Sequence, residues 1–386
     1  MPGERSKIFA GQWTHTHVPA LDGVRALAIL LVIPHNVDVF TNVTGWLWPI
    51  AMFAHIGWIG VQLFFVLSGF LITGNLLDSQ KADNYFSAFF ARRVLRIFPL
   101  YYGALAAGVF LVPLFHDYAP AAQASLSNQV WFWTFLSNWA EPFGRELHGF
   151  PHFWSLGVEE QFYLLWPFVV HRMAPRSILK LSAVLIILAL VIRTVMLMNG
   201  TKFEMVYMFT FCRMDSLAFG AAMAAALRIP EWRNWLVEKR TLLFSASLAL
   251  AIGGALGSHI YDVLDHVTLT LGYFLLNIFF GMTILTAATD YATRRRGWLQ
   301  AALSVRPLRS VGKYSYGMYV LHMPIALTLG YAWFHRFGSV APIVYTLTIV
   351  LLTYGAAAVS FHCFEKRFLK LKNRFVPHIR AAALPT

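Results

Sequence analysis

The stretch LDGVRALAILLVIPHNVDVF, residues 21–40, indicates the class of protein to which this chain belongs. Its middle is almost entirely aliphatic and is long enough to enter a bilayer as a helix. It nevertheless begins with Asp22 and Arg25 and ends with His35 and Asp38. Ionisable groups inside hydrocarbon are costly unless they are paired, hydrated or functional. The stretch therefore predicts a membrane helix whose polar groups need an explanation.

The composition extends this prediction to the whole chain. Of 386 residues, 58% are hydrophobic and only 13% are charged, whereas about a quarter of a soluble domain is charged. Apolar runs recur almost throughout, and no segment is long and polar enough to form a separate globular domain. We predict an all-α, polytopic membrane protein. Residues 1–20 contain no apolar core followed by a cleavage site, so they are expected to form a cytoplasmic tail.

At about 20 residues for each crossing, the apolar runs predict ten transmembrane helices. Their ranges are 24–41, 56–77, 95–115, 153–171, 178–198, 206–227, 242–258, 267–288, 312–333 and 341–363. Residues 126–140, LSNQVWFWTFLSNWA, are too short and polar to cross, and their tryptophans favour an interfacial or re-entrant helix in the long outer loop.

The distribution of basic residues orients these helices. Loops on one side hold most of the arginines and lysines, whereas loops on the other side hold only Arg145, Lys202 and Arg336. The positive-inside rule then places both termini in the cytoplasm. It also explains the net charge of +13 without nucleic acid. We predict one transmembrane domain over 21–368, followed by a basic cytoplasmic tail over 369–386.

His35 is the candidate catalytic group of the first span. It lies ten residues after Arg25, which is about 15 Å further along a helix. Pro34 removes a backbone hydrogen bond and predicts a kink there. Asp38, one turn further on, can orient the imidazole and raise its basicity, as a general base requires. The alternative is a packing histidine that bonds a neighbouring carbonyl.

The segment FFARRVLRIFPLYY, residues 89–102, carries the candidate phosphate site. Arg93 and Arg96 share a helical face, with Arg92 beside them. Planar guanidinium groups suit phosphate recognition, although such a cluster also serves as a plain anchor at the membrane boundary. In the preceding span, Ser68 lies among glycines that favour close helix packing, or else it lines a cavity.

The segment HFWSLGVEEQFYLLWP, residues 152–167, brings two adjacent carboxylates into a membrane helix. Glu159 and Glu160 are accompanied by Trp154, Gln161 and Tyr163. Anchoring does not require acids there, so we interpret them as partners of intramembrane arginines or as a wall of the acceptor site.

Other polar residues within spans have simpler interpretations. Arg213 and Asp215 are two residues apart, face different directions, and are expected to pair with other helices. His322 is interpreted as a hydrogen-bonded core histidine, with catalysis as the alternative. Glu365 is expected to form a local ion pair. Cys212 and Cys363 are expected to be buried thiols, and no metal or redox cofactor is predicted.

Taken together, these stretches resemble the membrane-bound acyltransferase family 3. The matching segments are LDGVRALAILLVIPH, GVQLFFVLSGFLIT, RRVLRIFPLYY, FWSLGVEEQFYLLWP, FCRMDSLAFGA, GKYSYGMYVLHMP and FEKRF, in the family's order. The resemblance implies transfer of an acyl group, usually acetyl from acetyl-CoA, to a hydroxyl of a bacterial surface glycan. It also implies location in the inner membrane and, as partners, a glycan or lipid-linked oligosaccharide acceptor and polysaccharide-assembly proteins.

The same resemblance assigns roles to individual residues. His35 matches the family's essential histidine, and Arg25 matches the arginine that precedes it. Arg93 and Arg96 match a family R-x-x-R pair, and Glu365 a glutamate after the last span. The remaining matches lie in family motifs at Trp154 to Tyr163, at Arg213 and Asp215, and at Tyr316 to His322.

The spacing from Arg25 to His35 is ten residues where the family usually has eleven, which turns the two side chains about 80° apart unless the kink at Pro34 compensates. The fused hydrolase domain of some relatives is expected to be absent, so the chain would acylate the final acceptor or a separate partner. A transporter or flippase of a lipid-linked glycan, or a scaffold in polysaccharide export, are the alternative functions.

Overall fold

The structure is a computed structural model that describes residues 17–37, 39, 45–111, 128–145, 149–293, 295, 297–337 and 341–378. All secondary-structure elements of these residues are helical. The ten longest helices are α1 (Pro19–Val37), α2 (Ile59–Asp78), α3 (Tyr85–Ala106), α4 (Trp154–Arg172), α5 (Pro175–Met198), α6 (Thr210–Ala226), α7 (Pro230–Gly257), α8 (Tyr273–Thr293), α9 (Arg306–Phe337) and α10 (Pro342–Ser360).

Six segments of the described residues are long and apolar enough to cross a membrane. They contain α1, α2, α5, α7, α8 and α10. The prediction of an all-α polytopic membrane protein is thus confirmed. The other four long helices occupy predicted spans but are not among these segments, so the number of ten crossings stays a prediction.

Residues 128–140 form two single-turn helices, Val130–Trp133 and Ser137–Ala140, too short to cross a membrane. Gln161 of α4 anchors both the turn between them and the second helix. Its Nε2 donates to the carbonyl of Phe135 at 3.0 Å and to Oδ1 of Asn138 at 2.8 Å. Gln161, one of the predicted site residues, therefore supports the fold.

Glycines let the central helices approach closely. A Cβ at Gly312 of α9 would lie 2.6 Å from the carbonyl carbon of Asp22 in α1, and a Cβ at Gly69 of α2 would lie 2.8 Å from that of Leu217 in α6. Since Asp22 neighbours Gly312 and Asn36 bonds His322, α1 and α9 run parallel. The predicted close packing around Ser68 is confirmed.

Helices α5, α7 and α10 form the periphery. In their most apolar stretches of 18 residues, only 22%, 22% and 28% of the sequence is buried, compared with 72% in the corresponding stretch of α8. Their exposed faces are aliphatic, as contact with lipid requires. Both cysteines are free thiols. Cys212 is buried as predicted, but Cys363 is exposed, because it follows α10 on this peripheral surface.

Candidate active site

A cavity of about 520 Å³ lies between α1, α2, α3, α4 and α9. One end of it, which we call the basic end, is surrounded by side chains that carry positive charge. These are Arg25, Arg92, Arg93, Arg96, Arg228 and Lys372. The three predicted donor-binding residues, Arg25, Arg93 and Arg96, are therefore brought to one site although they come from two helices.

These cations differ in whether they have an acidic partner. Arg25 pairs with Asp22, and Arg228 pairs with Asp78, both at 2.6 Å. Within the described ranges, Arg92, Arg93, Arg96 and Lys372 form no ion pair. Partly buried cations without carboxylate partners repel one another. Such a cluster is typical of a site that binds an anion.

One wall of the cavity is acidic and aromatic. Ser68 lines the cavity, as the sequence allowed, and its hydroxyl donates to Oε1 of Glu159 at 2.6 Å. The guanidinium of Arg93 lies 4.5 Å from the ring centroid of Tyr163. Glu160 is half-buried and does not line this cavity. Of the two predicted carboxylates, only Glu159 thus faces the candidate site.

A hydrogen-bonded group also bounds the cavity. The Oγ of Ser155 and the hydroxyl of Tyr319 lie 2.5 Å apart, and the Tyr319 hydroxyl donates to the carbonyl of His152 at 2.6 Å. Since Tyr319 has one hydroxyl proton and gives it to that carbonyl, Ser155 is the donor in the first bond. This contact ties α4 to α9.

His35 lies beyond that contact, in the last turn of α1. Its side chain is half-buried, and its Cβ lies 2.9 Å from where a Cβ at Gly57 would be. It is not among the residues that line the cavity. Asp38, the predicted partner of His35, is outside the described residues.

His322 links the cavity to the level of His35. It is fully buried, confirming a hydrogen-bonded core histidine. Its Nδ1 lies 2.7 Å from the carbonyl of Tyr319 and its Nε2 lies 2.9 Å from Nδ2 of Asn36. A carbonyl can only accept, so Nδ1 carries the proton and Nε2 accepts from Asn36. The lone pair of His322 is thereby occupied in a hydrogen bond that joins α9 to α1.

Arg213 and Asp215 have different environments. Asp215 accepts from Nη2 of Arg193 in α5 at 2.7 Å, which confirms the predicted pairing with another helix. Arg213 is fully buried but has no hydrogen bond among the residues described. Its guanidinium lies 4.5–5.5 Å from the ring centroids of Phe65, Trp154, Tyr207 and Tyr273. The expected pairing of Arg213 with other helices is thus met by cation–π contacts with aromatic rings. Trp154 belongs to this cage.

Glu365 also differs from its prediction. It is buried and accepts from the hydroxyl of Ser360 at 3.1 Å. It forms no ion pair within the part of the chain that the structure describes, so the expected local pair is wrong. The neighbouring Lys366 and Arg367 are exposed, and a helix turns them away from the carboxylate.

Sequence reasoning missed several residues of the site. The sequence indicated Arg228 and Lys372 only as basic residues at the cytoplasmic ends of the spans. It predicted no role for Asn36, Ser155 or Tyr319. For Ser155 and Tyr319 a signal existed, since both lie within the quoted family motifs. The contact of Asn36 with His322 joins residues 286 apart, and no local pattern indicates it.

Comparison with known proteins identifies the family. Residues 18–362 match the family model described as an acyltransferase domain. The chain belongs to this acyltransferase family. The match includes Arg25, His35, Arg93 and Arg96, whereas Glu365 and Lys372 lie beyond it. No solved structure matches this chain.

Several curated bacterial proteins share this region. The chain is 31% identical over 370 residues to YrhL of Bacillus subtilis, named provisionally as a peptidoglycan O-acetyltransferase; this covers 91% of the chain and 55% of YrhL. It is 28% identical to the peptidoglycan O-acetyltransferase OatA of Listeria monocytogenes, over 81% of the chain and 50% of OatA. It is 27% identical to the O-acetyltransferase OatA of Staphylococcus aureus, over 90% and 57%. The chain thus spans about half the length of these relatives.

Proposed function

We propose that this acyltransferase moves an acetyl group from acetyl-CoA, bound at the basic end, to a hydroxyl of a bacterial surface glycan on the other side of the inner membrane. The basic end faces the cytoplasm in this proposal, as the positive-inside rule favours. The observation that carries it is the cluster of Arg92, Arg93, Arg96 and Lys372, which have no acidic partner among the described residues and line one cavity.

The shape and chemistry of the cavity suit a coenzyme A thioester. Its phosphates bind the guanidinium groups at the basic end, where planar donors match phosphate oxygens. The pantetheine arm extends between α2 and α4 toward Ser155 and Tyr319. Tyr319 and His322 are one turn apart on α9, about 4.5 Å along the axis. Opening the contact between Ser155 and Tyr319 would therefore bring the thioester to the level of Asn36 and His35.

His35 then performs the transfer. As a general base, its imidazole takes the proton of the acceptor hydroxyl while that oxygen attacks the thioester carbonyl carbon. Collapse of the tetrahedral intermediate breaks the carbon–sulfur bond, and the thiolate leaves and recovers the proton from His35. As a nucleophile, a ring nitrogen of His35 would first attack the thioester carbonyl carbon and release the thiolate. The acceptor hydroxyl would then take the acetyl group from the imidazole, and its proton would go to the thiolate. Transfer of radiolabel from acetyl-CoA to the protein in the absence of acceptor, present in the wild type and absent in His35→Ala, distinguishes the second route from the first.

The relatives support the class of acceptor. Two of the three are named for O-acetylation of peptidoglycan. A hydroxyl of peptidoglycan or of another cell-surface glycan is accordingly the proposed acceptor.

The test is consumption of the thioester. Purified protein in neutral detergent is given acetyl-CoA and a glycan acceptor, and released thiol and acetylated product are measured together. We expect equal amounts of thiol and acetylated glycan, and loss of both in His35→Ala. A transporter or scaffold would leave acetyl-CoA intact, and near wild-type turnover by His35→Ala would exclude both catalytic routes.

A further inference from the structure

The segment that follows α10 is fastened to the start of α3. The amide of Asp83 donates to the carbonyl of His378 at 3.1 Å, and Nδ2 of Asn84 donates to the carbonyl of Val376 at 2.9 Å. The amide of His378 returns a bond to Oδ1 of Asn84 at 2.8 Å. Residues 372–378 are therefore held beside α3, the helix that carries the arginine cluster.

This attachment brings Lys372 to the basic end of the cavity. Lys372 lines that cavity together with Arg92, Arg93 and Arg96. The same four residues also line an adjoining pocket of about 90 Å³, whose other side includes Phe89 and Pro377. Lys372 thus borders both spaces, together with the three arginines.

The charge of this group exceeds what a diphosphate needs. Lys372 is half-buried, and no carboxylate among the described residues lies within ion-pair distance of it. Placing a fourth cation beside three arginines is unfavourable in the absence of a ligand. A phosphate monoester carries about −1.5 to −2 charges near neutral pH, so a third phosphate on the ligand would balance the additional cations.

We propose that Lys372, with Arg92, binds the 3′-phosphate of the coenzyme A ribose, and that it makes the enzyme select acetyl-CoA over acetyl-dephospho-CoA. This inference rests on the proposed donor. Arg93 and Arg96, deeper in the cluster, bind the diphosphate. Lys372 lies outside the residues 18–362 that match the family, so the selection belongs to the C-terminal segment of this chain.

The experiment compares KM for acetyl-CoA with KM for acetyl-dephospho-CoA, which lacks only the 3′-phosphate. Purified full-length protein in neutral detergent is used as wild type, Lys372→Met, Lys372→Arg and Lys370→Met. Lys370 is an exposed lysine in the preceding helical turn and serves as the matched control. The wild type and the control should prefer acetyl-CoA by about 10-fold in KM, as expected for one charge-assisted bond.

Lys372→Met should lose this preference by raising KM for acetyl-CoA about 10-fold while leaving KM for acetyl-dephospho-CoA and kcat unchanged. Lys372→Arg should keep it. Equal KM values for both donors in the wild type, or an equal effect of Lys372→Met on both, would overturn the inference while leaving acetyl transfer intact. Failure of the wild type to consume either thioester would instead overturn the proposed function.

Phosphate at this site could also come from a lipid headgroup. The same comparison is therefore repeated in neutral detergent with added anionic phospholipid. An effect of Lys372→Met that appears only with the anionic lipid would assign the lysine to the membrane surface and overturn the inference.

Discussion

The side-chain amide of Asn36 donates to Nε2 of His322 at 2.9 Å and so joins α1 to α9 one residue beyond His35. The other nitrogen of His322 bonds the carbonyl of Tyr319, whose hydroxyl lies at the cavity. The position of the candidate catalytic histidine is therefore coupled to the residues that bound the donor cavity.

Loss of this bond should impair catalysis more than donor binding. We expect Asn36→Ala and His322→Leu to lower kcat by about 10–100-fold through misplacement of His35, with KM for acetyl-CoA unchanged. His322→Gln should recover part of the activity, because its carbonyl oxygen can accept from Asn36. Thr328→Ala, an exposed change on the same helix, is the control. A change in KM alone would contradict a positioning role.

The arginine cluster should make donor binding sensitive to salt. Arg96→Gln removes a cation that has no acidic partner among the described residues, so KM for acetyl-CoA should rise about 10-fold. Because ions screen charge interactions, the wild-type KM should also rise with ionic strength, and more steeply than that of the variant. Arg367→Gln, at an exposed arginine beyond α10, should behave as wild type. A KM independent of both changes would argue against an electrostatic donor site.

The buried pair of Arg193 and Asp215 should be a stability element. Both side chains are almost inaccessible, at 0% and 2% exposure. Asp215→Asn leaves the Arg193 charge without its partner and should cost about 3–5 kcal/mol, seen as a lower Tm in detergent. The double variant Arg193→Met with Asp215→Leu should recover most of this loss. Equal destabilisation by the double variant would show that the pair is needed for more than charge balance.

Close packing of α2 against α6 should depend on Gly69. Gly69→Ala places a methyl group 2.8 Å from the carbonyl carbon of Leu217, and overpacking of this kind costs about 1–3 kcal/mol. Gly253→Ala in α7 is the matched control, since its Cβ would have no neighbouring atom within 4 Å. We expect a lower Tm only for Gly69→Ala. Equal Tm values for the two variants would contradict the close approach.

The sequence predicted the helices better than the contacts between them. Apolar runs located the long helices, and arginine spacing located Arg93 and Arg96, because both are local properties of the chain. The pairing of Asn36 with His322 and the approach of Lys372 to α3 depend on how distant helices pack. For Arg213 the sequence predicted partners on other helices but not that they are aromatic rings, because a charge in a membrane helix indicates only the need for a partner.

The most direct test of transfer across the membrane uses proteoliposomes of fixed orientation. Radiolabelled acetyl-CoA is supplied on the side of the basic end, and the glycan acceptor on the opposite side only. We predict label on the acceptor across the membrane and none with His35→Ala. Labelling that requires acetyl-CoA and acceptor on the same side would contradict transfer from one face of the bundle to the other.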